Sequence, residues 1–444
     1  MENKEKPTHP MFRIHSILVF VLCSLCYALV FFHRTAPAVL SKDMAPDFNV
    51  STTSLTIFSS MFFWTYSLMQ PFGGLLADIM DPAILVGCSA IIASIGSFIC
   101  GKSKSLGLAV FGRFVVGFGC APTYVPICKL LTRWYPLDWY AFFGGVVLAA
   151  GGCGGIVAQA PLAAFARAYS WRNAFVGIAL IGITMGTLVL IFVRRDPKDF
   201  GYDEVNEESG MNISTASLSE RFEQLLINFK TVVTKPIYYV LSVYSFMING
   251  IYFNIVGLWG GPYIRDCFPF KDGDMLISLS ISMIVGSIIL PIISNFFKTR
   301  KWVLFSTAFI ALIIGIVFWL YDTRMSFTIM FTLFLIWGMS TGSVASVTFA
   351  TVRENYDSSV VSTAIGCLNI FTFIGGAVFQ TITGWLLNGY TRIGTAYPHE
   401  GYKNSLWLPS VIYCCIAIFM PFLIQDNLTH KGKILEEEEE FNEL

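Results

Sequence analysis

Charge is what this 444-residue chain has least of: Asp, Glu, Lys and Arg together make up 13% of it, about half the share of an ordinary soluble domain. With 55% hydrophobic residues and a mean hydropathy of +0.64, a chain this long needs lipid as its solvent. The formal net charge is zero, which removes the electrostatic footprint of a nucleic-acid binder. The sequence lacks HExxH, and its matches to GxxxxGK[ST] at Gly96–Ser103 and to GxSxG at Gly338–Gly342 fall in or at the end of apolar runs, not on the strand-to-helix loop that either chemistry needs. ATP-driven pumping and an enzyme are therefore not expected, and neither is a cofactor. No Cys/His cluster has metal-ligand spacing, so no metal is expected either. The 11 cysteines do not form a disulfide framework. Cys23, Cys26, Cys88, Cys100, Cys120, Cys367, Cys414 and Cys415 sit inside apolar runs, where thiols pack as small hydrophobes. Cys23 and Cys26 have CxxC spacing but no second pair.

What the chain has instead is a series of long apolar runs. Crossing about 30 Å of hydrocarbon takes about 20 helical residues. Runs of that order cover 15–40, 53–77, 83–101, 106–131, 141–167 and 174–194. A polar stretch follows from Arg194 to Lys235, and runs resume at 237–263, 276–297, 303–321, 327–351, 359–387 and 407–424. Backbone in lipid must satisfy its own hydrogen bonds, so each run is expected to be a helix. The expected fold is an all-α membrane protein of twelve transmembrane helices, in two six-helix pseudo-symmetric halves around a central cavity. Residues 1–196 form the first half, 197–235 a cytoplasmic connecting loop, and 236–444 the second half with a short acidic tail, Glu436–Glu440. Glycines and a glutamine recur in spans 5 and 11: Gly151, Gly152, Gly154, Gly155 and Gln159 against Gly366, Gly375, Gly376 and Gln380. Small residues there allow close helix packing.

The 29 Lys and Arg divide unevenly. With the N-terminus inside, 17 fall in inner segments and 10 in outer ones, leaving Arg34 and Arg113 within spans. That bias predicts cytoplasmic termini. The run that follows MENKEKPTHPMFR has no small-residue cleavage site and is expected to be a retained first span.

Several motifs resemble the major facilitator superfamily, as does the order of six spans, loop and six spans over nearly the whole chain. Gly74-Leu75-Leu76-Ala77-Asp78 resembles its loop 2–3 signature. In the second half, Pro291 to Lys301 is the counterpart, with Asn295 where the acid stands. The resemblance implies a conformational latch at Asp78, Arg300 and Lys301, with Asp78 near the positive end of a helix dipole. Residues 79–83 lack the basic residues of the signature. Span 4, from Gly112-Arg113-Phe114 through Gly117, Cys120-Ala121-Pro122 and Pro126, resembles the RxxxGxxEAPxxxP run of the anion:cation symporter branch, which is related to the organophosphate:phosphate antiporters. Lys129 to Pro136 and Ser170-Trp171-Arg172-Asn173 extend the likeness, and Phe32-His33-Arg34 resembles the branch's Tyr-x-Asp-Arg. Cys120 and His33 stand where the branch has its two proton-coupling acids. Proton symport by that route is therefore not implied, and facilitated diffusion or anion exchange competes with it. Bacterial members are the better likeness, which implies a bacterial inner membrane or plasma membrane.

An ionisable side chain at membrane depth costs at least about 2.5–3.5 kcal/mol on insertion scales and marks function. Arg34 and Arg113 are the cations there, and no acid lies clearly inside a span. Arg34 is a candidate anchor for a carboxylate or phosphate, or else snorkels to the outer interface. Arg113 either contacts solute or serves coupling and structure. His33 is a candidate coupling residue because imidazole titrates near neutrality. As Arg34's neighbour, it points about 100° away on a helix. Gly250, Gly257, Gly260, Gly261 and Pro262 predict a bent span 7, where Asn254 and Trp259 are candidate solute contacts. Trp259 is equally a candidate for the interfacial belt. Asn369 and Gln70 complete the candidate binding residues. The chemistry points to secondary active or facilitative transport of a small, anionic solute by alternating access, with membrane lipid as the other partner and proton or counter-anion coupling open. Two other readings fit the same residues: a carrier of amino acids or small peptides, and a non-transporting membrane sensor on the same scaffold.

Overall fold

The structure is a computed structural model and describes residues 11–136, 139–203, 205, 218–321, 325–394 and 396–424. Its elements follow the apolar runs closely. In chain order the long helices are α1 (Phe12–Asp47), α2 (Thr56–Ile79), α3 (Pro82–Lys102), α4 (Leu106–Trp134), α5 (Phe142–Tyr169), α6 (Trp171–Phe192), α7 (Pro236–Cys267), α8 (Asp272–Phe296), α9 (Lys301–Leu320), α10 (Phe327–Asn355), α11 (Ser358–Leu387) and α12 (His399–Leu423). Eleven helices among the described residues are long and apolar enough to cross a membrane, and α2 is outside that group. Its 24 residues reach about 36 Å, enough to span, but its interior carries Ser59, Ser60, Thr65, Ser67 and Gln70. Ile57, Trp64, Leu68 and Phe72 form an exposed apolar stripe on α2, while the serines and Thr65 face neighbouring helices.

Proline punctuates the helices where backbone donors are missing. Pro122 lies at the break in α4 between Cys120 and Tyr124, and Pro161 follows the break in α5 at Ala158–Gln159. Span 7 loses regular α-helical bonding among the glycines that precede Pro262. A π-helical turn, Ile255–Trp259, interrupts α7, with the Gly260 N–H donating to the Ile255 carbonyl. A second π turn, Lys403–Trp407, lies in α12.

The described part of the polar connecting stretch is not all loop. It contains a helix, Leu218–Thr234, that the charge-rich sequence did not announce. This helix turns Val232 inward, and the Tyr356 hydroxyl donates to its carbonyl at 3.0 Å. The acidic tail Glu436–Glu440 lies outside the described residues.

Helices α1–α6 pack mainly on one another, as do α7–α12. The two sets meet where α2 lies against α11, α1 against α7 and α5 against α8. Close approach needs glycine at two corresponding places. A Cβ on Gly154 of α5 would stand 2.0 Å from the Ala28 carbonyl oxygen of α1, and one on Gly375 of α11 would stand 2.3 Å from the Phe246 carbonyl oxygen of α7. Both glycines belong to the recurrent clusters in spans 5 and 11.

Candidate functional site

Arg34 sits 22 residues beyond the start of α1 (34 − 12), about 33 Å along the helix. It is 4% exposed, so it does not snorkel. Its guanidinium lies over four rings: Phe31 at 4.4 Å, Phe373 at 4.8 Å, and Tyr66 and Phe253 at 5.3 Å. Phe31 and Tyr66 come from α1 and α2, Phe253 and Phe373 from α7 and α11. The cage therefore joins the two sets of helices. Its rings also touch one another, with Tyr66 and Phe373 at 4.6 Å and Phe253 and Phe373 at 5.2 Å. Cation–π contacts of this kind contribute about 0.5–2 kcal/mol each, enough together to offset the cost of placing Arg34 at depth. The Tyr66 hydroxyl faces the side chains of Arg34 and Gln70. Asn369 donates to Gln70 at 3.4 Å across the sets, and Gln70 Nε2 has no partner. Arg34 Nε is likewise unpartnered.

Arg113 occupies a different environment. It is fully buried, stacked over Phe62 at 4.8 Å and Phe58 at 5.4 Å, and its Nη1 donates to the His33 carbonyl at 2.8 Å. That carbonyl needs a donor, because Pro37, four residues on, has no N–H to give it. Arg113 thus satisfies a backbone orphan within its own set of helices.

His33 points away from Arg34, as the 100° step requires. It lines a cavity of ≈ 10 Å³ with Cys26, Ser89, Cys120 and Thr123, which has room for about one water. His33 Nδ1 and Thr123 Oγ1 are unpartnered there. The two positions that depart from the acidic pattern, His33 and Cys120, meet in this cavity.

The remaining candidates have structural partners. Asn254 Nδ2 donates to Thr383 Oγ1 at 3.0 Å, leaving its oxygen unpartnered. Trp259 is fully buried and donates to the Gln380 carbonyl at 3.0 Å, which corrects the interfacial-belt alternative. The Asp78 side chain lies outside the described residues; Lys129 donates to the neighbouring Ala77 carbonyl at 3.0 Å. Arg300 binds Glu354 at 2.8 Å and Ser294 Oγ at 2.8 Å, and Lys301 lies 5.3 Å from the Phe422 ring centroid. These partners belong to the same set of helices as Arg300 and Lys301, so they brace that set.

At the end of the bundle that carries the α1–α2 loop, the structure shows contacts the sequence did not disclose. Lys42 of α1 pairs with Asp266 of α7. Asp266 also accepts from the Tyr402 hydroxyl at 2.7 Å and the Tyr397 N–H at 3.1 Å. Arg265 pairs with Asp272 at 2.9 Å and donates to the Val39 carbonyl at 2.8 Å. Deeper, Gln159 donates to Ser280 Oγ at 2.8 Å between α5 and α8.

The family model of the Major Facilitator Superfamily matches residues 23–380. The chain belongs to the Major Facilitator Superfamily. This superfamily member is 22% identical to the hexuronate transporter of Bacillus subtilis over 396 residues, covering 85% of this chain and 89% of the relative. It is 23% identical to a probable sulfoacetate transporter of Cupriavidus necator, covering 41% of this chain and 42% of the relative. It is 22% identical to the chloroplastic ascorbate transporter of Arabidopsis thaliana, covering 57% and 47%. The chain thus spans less than half the length of the last two. Among solved structures, it superposes on a bacterial homolog of the human lysosomal transporter Spinster, described as inward-facing and unoccupied. The TM-score is 0.73 at 18% identity, over 92% of this chain and 96% of that one. The nucleoside transporter NupG gives 0.68 at 13% identity, over 92% and 99%. These likenesses show the fold, a bundle of membrane-spanning helices.

Proposed function

We propose that this protein carries a small organic anion across a bilayer by alternating access, with Arg34 as the charge that receives it. One observation carries the reading. Arg34 is buried between the two sets of helices, and among the described residues no carboxylate pairs with it. A cation held by ring faces and one neutral hydroxyl has given up its water without gaining a counter-ion, and an anionic solute supplies one. The relatives named for hexuronate, sulfoacetate and ascorbate support the anionic class. Residues 1–196 and 236–444 are the units that rock about the cage, and Gln70 and Asn369 flank the bound anion. Both termini lie in the cytoplasm, in line with the Lys and Arg bias, and a bacterial inner membrane or a plasma membrane is the setting. With no acid in the His33–Cys120 cavity, transport runs as facilitated diffusion or anion exchange.

The test is thermal stabilisation of the purified protein by a panel of acids, followed by uptake into proteoliposomes. A ligand of the folded state raises its stability by mass action. Arg34→Ala is expected to weaken anion binding about 10- to 100-fold, the worth of a charged hydrogen bond at about 1.5–3 kcal/mol, and to abolish uptake. Anion uptake that survives Arg34→Ala sinks the anchor role. Stabilisation by amino acids or dipeptides alone moves the reading to zwitterions. Uptake that tracks an imposed pH gradient overturns the uncoupled mechanism.

A further inference from the structure

The surroundings of Arg34 limit what the anion can be, provided that the transport reading above holds. Three arginines are buried among the described residues: Arg34, Arg113 and Arg300. Arg113 keeps its charge but lies within its own set of helices, bonded to the His33 carbonyl, and Arg300 is neutralised by Glu354. Arg34 is therefore the one of the three placed between the two sets. A monoanion cancels it, whereas a dianion brings a second charge to a cage of rings that holds no second cation.

The walls narrow the choice further. Four rings, Phe31, Tyr66, Phe253 and Phe373, surround the guanidinium, and Phe63 stands behind Phe253 at 5.4 Å. The polar groups that meet the cage are few: the Tyr66 hydroxyl beside Arg34 and Gln70, and the Gln70–Asn369 pair. In the second set of helices, Asn254 Nδ2 is spent on Thr383 and Gln380 Nε2 on the Phe253 carbonyl, which leaves Asn249 Nδ2, one turn before Phe253, as a single unpartnered amide donor. A polyhydroxylated acid would bury several hydroxyls against ring faces, where each lacks a partner. An apolar body behind a single acid group would take over the ring faces as the guanidinium turns to the anion.

We infer that the solute is a monoanion with an apolar body, an aryl or alkyl monocarboxylate, and not a sugar acid or a dicarboxylate. The experiment is thermal stabilisation of the full-length purified protein by benzoate, phenylacetate and hexanoate against glucuronate, glucarate and succinate. Dissociation constants are extracted for the wild type, Arg34→Ala and Phe373→Ala. The expected result is at least tenfold tighter binding of the aryl and alkyl acids than of the sugar acids. That binding is lost in Arg34→Ala and weakened severalfold in Phe373→Ala. Tighter binding of glucuronate, glucarate or succinate that still depends on Arg34 overturns this inference and leaves anion transport standing. If no acid in the panel binds in an Arg34-dependent way, both readings fall. The rank order is read on the wild type, so it decides the matter even where a variant fails to fold.

Discussion

Two arginines separated by 79 positions (113 − 34) are both buried and do different work because of their neighbours. Arg34 meets rings from both sets of helices, while Arg113 meets a carbonyl that Pro37 leaves unpaired. That assignment is testable by a double-mutant cycle. Arg113→Met should cost about 2 kcal/mol, since it leaves the His33 carbonyl orphaned at membrane depth. Pro37→Ala supplies the missing N–H. In that background, Arg113→Met should cost about 1 kcal/mol less, read as a coupling energy from thermal or denaturant unfolding in detergent. Additive costs, within about 0.5 kcal/mol, would mean that Arg113 serves something other than that carbonyl. The affinity of the Arg113→Met protein for anions should stay within about twofold of wild type, which separates it from Arg34→Ala.

At the scale of helices, packing between spans is set by glycine at points of closest approach. Gly154→Ala places a Cβ against the Ala28 carbonyl oxygen, a backbone atom that cannot swing aside. The expected cost is about 1–3 kcal/mol, as in overpacked cores, seen as a lower Tm. Gly144→Ala on the same helix has nothing within 4 Å and should be neutral or stabilising by up to about 1 kcal/mol. Equal effects at the two sites would refute the close-approach argument. The spans themselves were legible because length and hydropathy are local properties, and an irregularity in α7 was legible from Gly257, Gly260, Gly261 and Pro262. Arg34 stood out because a charge in an apolar run is rare. Its cage did not: among 40 Phe, nothing local marks Phe253 and Phe373 as the two that reach an arginine more than 200 residues away in sequence. Lys42 and Asp266 escaped notice for the opposite reason, since charges at span ends are ordinary. The helix Leu218–Thr234 was hidden because Glu220, Arg221 and Glu223 make its composition read as loop, while its inward contacts include only a short apolar pair, Val232 and Val233, near its end.

At the scale of the whole molecule, the structure is closed at the α1–α2 loop end. Lys42–Asp266, Arg265–Asp272 and the Arg265 bond to Val39 tie α1, α7 and α8 together. Asp266 has a side-chain accessibility of 1% and three partners, so salt screens it weakly. Removing Lys42 leaves a buried carboxylate without its counter-ion, an imbalance worth about 3–5 kcal/mol where both charges are desolvated. Lys42 is 21% accessible, so a smaller figure, about 1–2 kcal/mol, is appropriate. That is a shift of about 5- to 30-fold in a two-state equilibrium. Opening this end relieves the stranded charge by exposing Asp266 to water, so Lys42→Gln should favour the open form. An Ala38→Cys thiol reports it, because Ala38 is buried against α7 in the closed form. A membrane-impermeant thiol reagent, with the modified position read by peptide mass spectrometry, should label position 38 about 5- to 30-fold faster in Lys42→Gln than in the Ala38→Cys parent, and 0.5 M salt should change the parent's rate little. Unchanged labelling would show that the helices are held shut by the apolar packing of α1 on α7, with the ion pairs riding on that contact.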